Sequence, residues 1–270
     1  MTVSRRWTRR IGRLLFAPLL AAAAAVAAPA ADLKIDRLHW EKDVDGAAPI
    51  RRLEIRNDFG DVRARRAEDR RIEASAVVQR LDADPAGVGF TVERHGPVVA
   101  LVVAYPPGHV RDADPNPPKD SYDRLDLVVY VPEGVALRAE TLRGRIEIRG
   151  LKSDVEAATL DGPLSVVTTG SLRARTAGGA ITAVVEAAAL AHPENGPMLF
   201  ESGTGAITVT VPERAPIDLR AETSGPLSSE LRMHRKQGAR TRAWRASGRS
   251  RRLVLVRSDT GAIQVLRDER

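Results

Sequence analysis

The chain has 270 residues, 42 Lys and Arg against 35 Asp and Glu, ten aromatic residues and no cysteine. The missing cysteine excludes a disulfide scaffold, a Cys-ligated zinc or Fe–S centre, a thiol nucleophile and a lipidated cysteine, and 43% hydrophobic residues exclude a disordered chain. The length suits one domain or one and a half, and the net charge of +7 raises nucleic acid or an anionic membrane as a partner.

Residues 1–13 hold Arg5, Arg6, Arg9, Arg10 and Arg13 and no acid, residues 14–28 are apolar, and Ala28-Pro29-Ala30 offers small residues to a peptidase. This order predicts a secretory signal peptide over residues 1–30. The apolar run is about 15 residues, short for a bilayer span, so an uncleaved anchor is the weaker reading. Ser4-Arg5-Arg6 raises a twin-arginine signal, but Thr8 and Arg9 stand where that signal wants apolar residues, which favours general secretion. Without this segment the chain keeps 37 basic and 35 acidic residues, a net +2. The expectation is one exported all-β domain over 31–270, periplasmic or secreted, with no transmembrane segment after cleavage and no nucleic-acid partner.

Within 31–135 the strand candidates are 52–56, 71–80, 89–94, 98–105 and 124–131, longer than those that follow and placed to cap one end of the sheet system. Between the last two, Asp112, Asp114, Asn116, Asp120 and Asp123 occupy positions 1, 3, 5, 9 and 12 of a calcium-loop template. Pro117 stands at the glycine position, the last ligand is Asp rather than Glu, and no helices flank the loop. A solvated Pro/Asp turn is the stronger reading, with a calcium site as the speculative one.

From 136 to 270 the chain repeats itself. Leu137-Arg-Ala-Glu-Thr141, Val155-Glu-Ala-Ala-Thr159, Leu172-Arg-Ala-Arg-Thr176 and Leu219-Arg-Ala-Glu-Thr223 are close copies; Met198-Leu-Phe-Glu-Ser202 and Val254-Leu-Val-Arg-Ser258 are looser ones. Each is followed by a glycine (144, 162, 179, 225, 205 and 261) and, two residues later, by an aliphatic residue. Alternation over five residues is strand periodicity with one buried face. The small third residue predicts a narrow interior of stacked like residues, and the glycine predicts a turn with positive φ. Two short strands per copy with no helical pattern between them predict a β-solenoid, with the longer N-terminal strands as its cap. The alternative is a hairpin-stack β-roll or sandwich.

The repeated Thr-x-x-Gly-x-Ile-x-Val, the outlying Phe59-Gly60-Asp61-Val62 and the signal peptide together resemble the bacterial DUF4097 putative adhesins. The resemblance covers roughly residues 50–266 and is strongest over 137–230. The family's Asn-Gly corner is degenerate here, as Arg143-Gly144, Asp161-Gly162 and Thr204-Gly205 show. The resemblance implies a β-repeat envelope protein and carries over no catalytic residues.

The outward residue after each aliphatic reads Arg63, Glu147, Ser165, Thr182, Thr208, Ser228 and Gln264, one carboxylate in seven, where glycoside hydrolysis needs a pair. Eight aromatics outside the signal are few for a sugar-stacking platform. The five histidines have no metal spacing, and no nucleophile elbow or phosphate loop occurs, so no cofactor is expected. The candidate site is the span 231–257, an insertion with ten basic residues and no acid. Arg232, Arg235, Lys236, Arg240, Arg242, Trp244, Arg245, Arg249, Arg251 and Arg252 are expected to project as a hairpin and to meet an anionic envelope surface or another envelope protein. The remaining mature chain carries −8. The functional expectation is an exported non-catalytic adhesin, structural or binding module. The alternatives are an envelope-stress or regulatory protein binding a protein or peptide, and a β-helical polysaccharide-active enzyme.

Overall fold

A strict alternation of apolar and polar side chains leaves the chain one way to bury its apolar half, as strands with one face inward. The computed structural model describes residues 33–45, 48–81, 87–105, 124–192, 195–248 and 251–268; the signal segment, the Asp-rich loop 112–123 and Arg249 lie outside the described residues. The N-terminal strands are β1 (Leu33–Asp43), β2 (Arg52–Phe59), β3 (Val62–Arg66), β4 (Arg71–Leu81), β5 (Gly89–His95), β6 (Val98–Ala104) and β7 (Arg124–Val131). There follow β8 (Ala136–Arg143), β9 (Ile146–Leu151), β10 (Val155–Asp161), β11 (Leu164–Thr168), β12 (Leu172–Thr176) and β13 (Ile181–Val185), then a helical turn α1 (Ala187–Leu190). The chain continues with β14 (Met198–Ser202), β15 (Ile207–Pro212), β16 (Ile217–Thr223) and β17 (Leu227–Ser229), and ends with β18 (His234–Lys236), β19 (Thr241–Ser247), β20 (Arg252–Ser258) and β21 (Ile263–Asp268).

These strands make two open, mixed sheets. The first runs β1-β4-β7-β3-β9-β11-β13-β15-β21-β17, and the second runs β18-β19-β16-β20-β14-β12-β10-β8-β2-β6-β5. Each copy of the repeat gives its first strand to the second sheet and its second strand to the first, so the glycine turn carries the chain from sheet to sheet. Strands pair with equivalent strands of other copies, parallel and in register: Leu137 with Val155 and Val155 with Leu172 in one sheet, Ile146 with Leu164 and Leu164 with Ile181 in the other. A pair of consecutive strands, one per sheet, is a tier. The inward faces of both sheets share one hydrophobic core. Ala139, Ala157 and Ala174 stack as one buried row, and Phe200 fills the same position in a looser copy.

The glycines are required for a different reason than positive φ. Among the corner glycines only Gly60 and Gly144 have it. At Gly162, Gly179, Gly205 and Gly261 the obstacle is the tier below: a Cβ would stand 1.8–2.0 Å from the carbonyl oxygen of the preceding glycine in the stack. The Thr or Ser two or three residues earlier fastens this corner. Thr223 Oγ1 donates to Gly261 O at 2.7 Å and accepts from Gly225 N–H at 2.9 Å; Ser258 Oγ donates to Gly205 O at 3.2 Å and accepts from Gly261 N–H at 2.9 Å. Thr159 is the exception, its Oγ1 buried without a hydrogen bond. We expect Thr159→Val to raise stability by up to about 1 kcal/mol and Thr223→Val to lower it by about 1–3 kcal/mol, in paired urea melts.

Tiers do not stack in chain order. β6/β7 lies outside β2/β3, and β20/β21, the last tier in sequence, lies inside β16/β17, against β14/β15. The chain skips a tier twice, from β7 to β8 and from β15 to β16, and both times it leaves the strand through Val-Pro-Glu, at 131–133 and 211–213. Antiparallel strands close both ends. β4 and β1 continue the first sheet, β5 covers β6, and the β18–β19 hairpin covers β16. Leu38, Trp40 and Phe90 pack against the core at one end, and Leu231 and Met233 do so at the other. The basic insertion therefore does not project; it lies in the sheet as an end cap. Its outermost strand, His234–Lys236, is short and cationic, a composition that discourages edge pairing.

Candidate functional site

The insertion that looked uniformly basic in sequence is divided by the fold. Arg252 is buried: its Nε donates to Gly196 O at 3.0 Å, Nη2 to Ser171 Oγ at 2.7 Å, and Nη1 to Ala189 O. It ties the loop around α1 to β20 and is a packing residue rather than a surface cation. Arg240 pairs with Asp259 at 2.6 Å and Glu222 at 3.7 Å, and Arg242 pairs with Glu222 at 3.4 Å. Arg245 donates to Glu213 O at 2.9 Å. Arg232, Arg235, Lys236 and Arg251 are exposed and in no ion pair among the described residues, and so is Arg257.

Register explains the division. In the outward row of the second sheet, Arg175 stands opposite Glu201, Glu201 opposite Arg257, Arg257 opposite Glu222, and Glu222 opposite Arg242. The acids come from β14 and β16, the bases from β12, β19 and β20. A run of arginines without an acid in sequence thus becomes an alternating ladder on the surface, and opposite charges across strands are mutually stabilising. Arg175 and Glu201 close to 3.0 Å.

One row further along, Leu199 lies beside Leu255, Leu255 beside Arg220, Arg220 beside Trp244, and Trp244 beside His234. The imidazole of His234 stacks on the Trp244 indole at 5.8 Å between centroids. Trp244 remains 42% exposed. Over this second row lies an open trough of about 680 Å³, lined by Leu199, Leu255, Ala246 and Trp244 and by the charged Asp218, Arg220, Glu222, Arg242, Arg251 and Arg257. It brings Arg242, Trp244 and Arg251 of the sequence-predicted set together with acids and apolar residues that sequence reasoning did not include. The only signal for them was their equivalent position in the repeat.

The trough is not arranged for glycoside cleavage. Asp218 and Glu222 are four residues apart on one strand, about 13 Å at the usual rise, beyond the spacing of an acid pair in glycosidases. Glu201 and Glu222 have Arg257 between them. On the first sheet, Arg63, Glu147, Ser165, Thr182, Thr208, Gln264 and Ser228 form the one outward row that the repeat predicts. Among the described residues no group of three metal-ligating side chains occurs, and no helix is long and apolar enough to cross a membrane.

A second polar cluster sits beside Gly60. Tyr105 OH donates to Asn57 Oδ1 at 2.7 Å and accepts from Phe59 N–H at 3.2 Å, and Asn57 Nδ2 donates to Leu125 O at 2.8 Å. Burial pushes the Tyr105 phenol above its ordinary value. The cluster is buried and ties β2 to β7, a structural role. The folded phenol holds its proton more tightly than the unfolded one, so its contribution is present below about pH 10 and is lost as pH rises beyond that. Tyr105→Phe is expected to cost about 1–3 kcal/mol and to flatten the alkaline limb of a stability–pH profile.

No family model matches the chain, and no curated protein matches it in sequence. Solved structures do. A putative cell adhesion protein of Clostridium sporogenes is 12% identical, with 87% of this chain and 100% of that one covered at a TM-score of 0.50. A putative adhesin of Bacteroides fragilis is 8% identical over 86% and 97%, TM-score 0.32, and one of Parabacteroides merdae 10% identical over 87% and 93%, TM-score 0.32. At 12% identity the first likeness is one of fold alone.

Proposed function

We propose that this chain is an exported, non-catalytic β-repeat protein of the bacterial envelope, periplasmic or secreted after removal of residues 1–30. In this reading it is an adhesin-like binding module of the DUF4097 kind. Its tiers are the turns of a two-stranded solenoid, and the trough at the Trp244 end of the second sheet holds an anionic partner. The observation that carries the reading is the combination there of a 42%-exposed tryptophan with two arginines, Arg251 and Arg257, that form no ion pair among the described residues, over an apolar floor. Aromatic residues and arginines are the residues that interfaces concentrate. The fold likeness to a Clostridium adhesion protein and the order of charges and apolar residues in 1–30 support the setting.

The test is sedimentation with phosphatidylglycerol-containing vesicles and with lipopolysaccharide at low and high salt. Binding should fall with salt and drop several-fold in the Arg251→Gln/Arg257→Gln double variant, while Arg149→Gln on the other sheet changes nothing. Arg240→Gln should cost stability rather than binding, because that side chain is held by Asp259 and Glu222. Absence of binding to both probes, or full binding by the double variant, overturns the anionic-partner reading.

A further inference from the structure

We infer that the ligand of the trough is a carboxylated sugar chain, with one pyranose face against Trp244 and its carboxylate on Arg251 or Arg257; this rests on reading the trough as the binding site. The charge pattern distinguishes a sugar from a membrane. A flat anionic bilayer laid on this face would meet Glu201, Asp218 and Glu222 as well as the arginines, and like charges brought together cost free energy. A polyhydroxylated chain uses both signs: carboxylates accept from sugar hydroxyls, and guanidinium groups donate to them.

The walls are held in place before any ligand arrives. Arg220 is fixed on Asp218 at 2.8 Å and Arg242 on Glu222 at 3.4 Å. Preorganised polar groups lose less freedom on binding. Of the cations lining the trough, Arg251 and Arg257 form no ion pair among the described residues, although Arg257 stands between Glu201 and Glu222 in register, and a guanidinium matches a carboxylate in a two-pronged geometry. Trp244 supplies the apolar contact: His234 stacks against its ring system, and the exposed remainder lines the same trough as Leu199 and Leu255. A tryptophan with one covered side and one wet side suits a ligand that is apolar on one face and polar at its rim. From β14 to β19 the trough is about 14 Å wide at the usual strand spacing, the scale of a short oligosaccharide. Eight aromatics are too few for an extended stacking platform, but a single subsite needs one.

Oligogalacturonate, its methyl ester and phosphatidylglycerol vesicles are the probes, titrated into the folded protein while the Trp244 indole N–H signal is followed by NMR. The free acid should shift that signal, and the ester should bind about ten-fold more weakly, since it lacks the charge that a guanidinium pairs with. Trp244→Ala and Arg251→Gln/Arg257→Gln, followed through backbone signals, should each lose about ten-fold, and Trp244→Phe, which keeps an aromatic cap on the edge, should retain most of the binding. Equal affinity for acid and ester overturns the inference, as does undiminished binding by Trp244→Ala. Binding to vesicles without binding to oligogalacturonate overturns the sugar and leaves the trough as the anionic site. No binding to any probe overturns both.

Discussion

Gly179→Ala is expected to unfold the repeat region or to cost more than about 3 kcal/mol, although it adds a single methyl group. The new Cβ would lie 1.8 Å from Gly162 O and 2.3 Å from Gly162 C, in backbone that has no freedom to move because its own carbonyl is stacked on the next tier. The adjacent Gly178 is the internal control. A Cβ there meets Asp161 Oδ1 at 3.4 Å, the end of a side chain that can turn away, and Leu160 O at 4.0 Å, an ordinary contact distance. Gly178→Ala should therefore be close to neutral, or slightly stabilising through the unfolded chain. Chemical denaturation of the two variants side by side checks this. If both are neutral, the corner stack is not the tight element the distances describe.

Removal of residues 249–270 is the second large effect. In a stack built in chain order, losing the last tier would expose one end and leave the rest intact. Here the last tier is internal. β20 pairs with β14 on one side and β16 on the other, and β21 pairs with β15 and β17. Val254, Val256, Ile263 and Val265 are all buried. At about 1.5–3 kcal/mol for each, their removal withdraws about 6–12 kcal/mol, comparable with the whole stability of a domain. It also cuts β16, β17 and the β18–β19 hairpin off from β14 and β15, leaving β16 paired with β19 alone and β17 without its strand partner. The truncated chain should lose hydrogen-exchange protection over 217–247 and be cleaved by protease beyond Glu213, while β8–β13 keep theirs. Protection persisting over 217–247 would mean that β16 can pair directly with β14, and that the order of tiers is not fixed by the chain.

Several features were readable from the residues alone. The alternation of Leu137-Arg-Ala-Glu-Thr141 and its copies dictates strands with one buried face, because no other local structure separates the two sets of side chains. The recurrence of the small third residue and of the glycine dictates that copies stack on one another, and the outward row through Arg63 and Glu147 follows from the same period. Val-Pro-Glu at 131–133 and 211–213 was also in the sequence. As a marker of the skipped tiers it becomes intelligible only once the connections are seen, since a proline after a strand marks an ending and not a destination.

The candidate site was half legible. Trp244, Arg242 and Arg251 were in the predicted set, and they do line the trough. The predicted projection was wrong in form, and Arg252 and Arg240 were wrong in role, because a linear count of charge takes no account of what lies on the next strand. Glu222 and Asp259 are 20 and 19 residues away from the arginines they hold. Local periodicity determines strands, faces and corners, since these depend on neighbours within a few residues. The order of the tiers, the burial of Arg252 and the pairing of the basic insertion with acids were decided only by tertiary structure. Each depends on which strand lies 5 Å away in space, and a chain that skips a tier twice separates that neighbour from its neighbour in sequence.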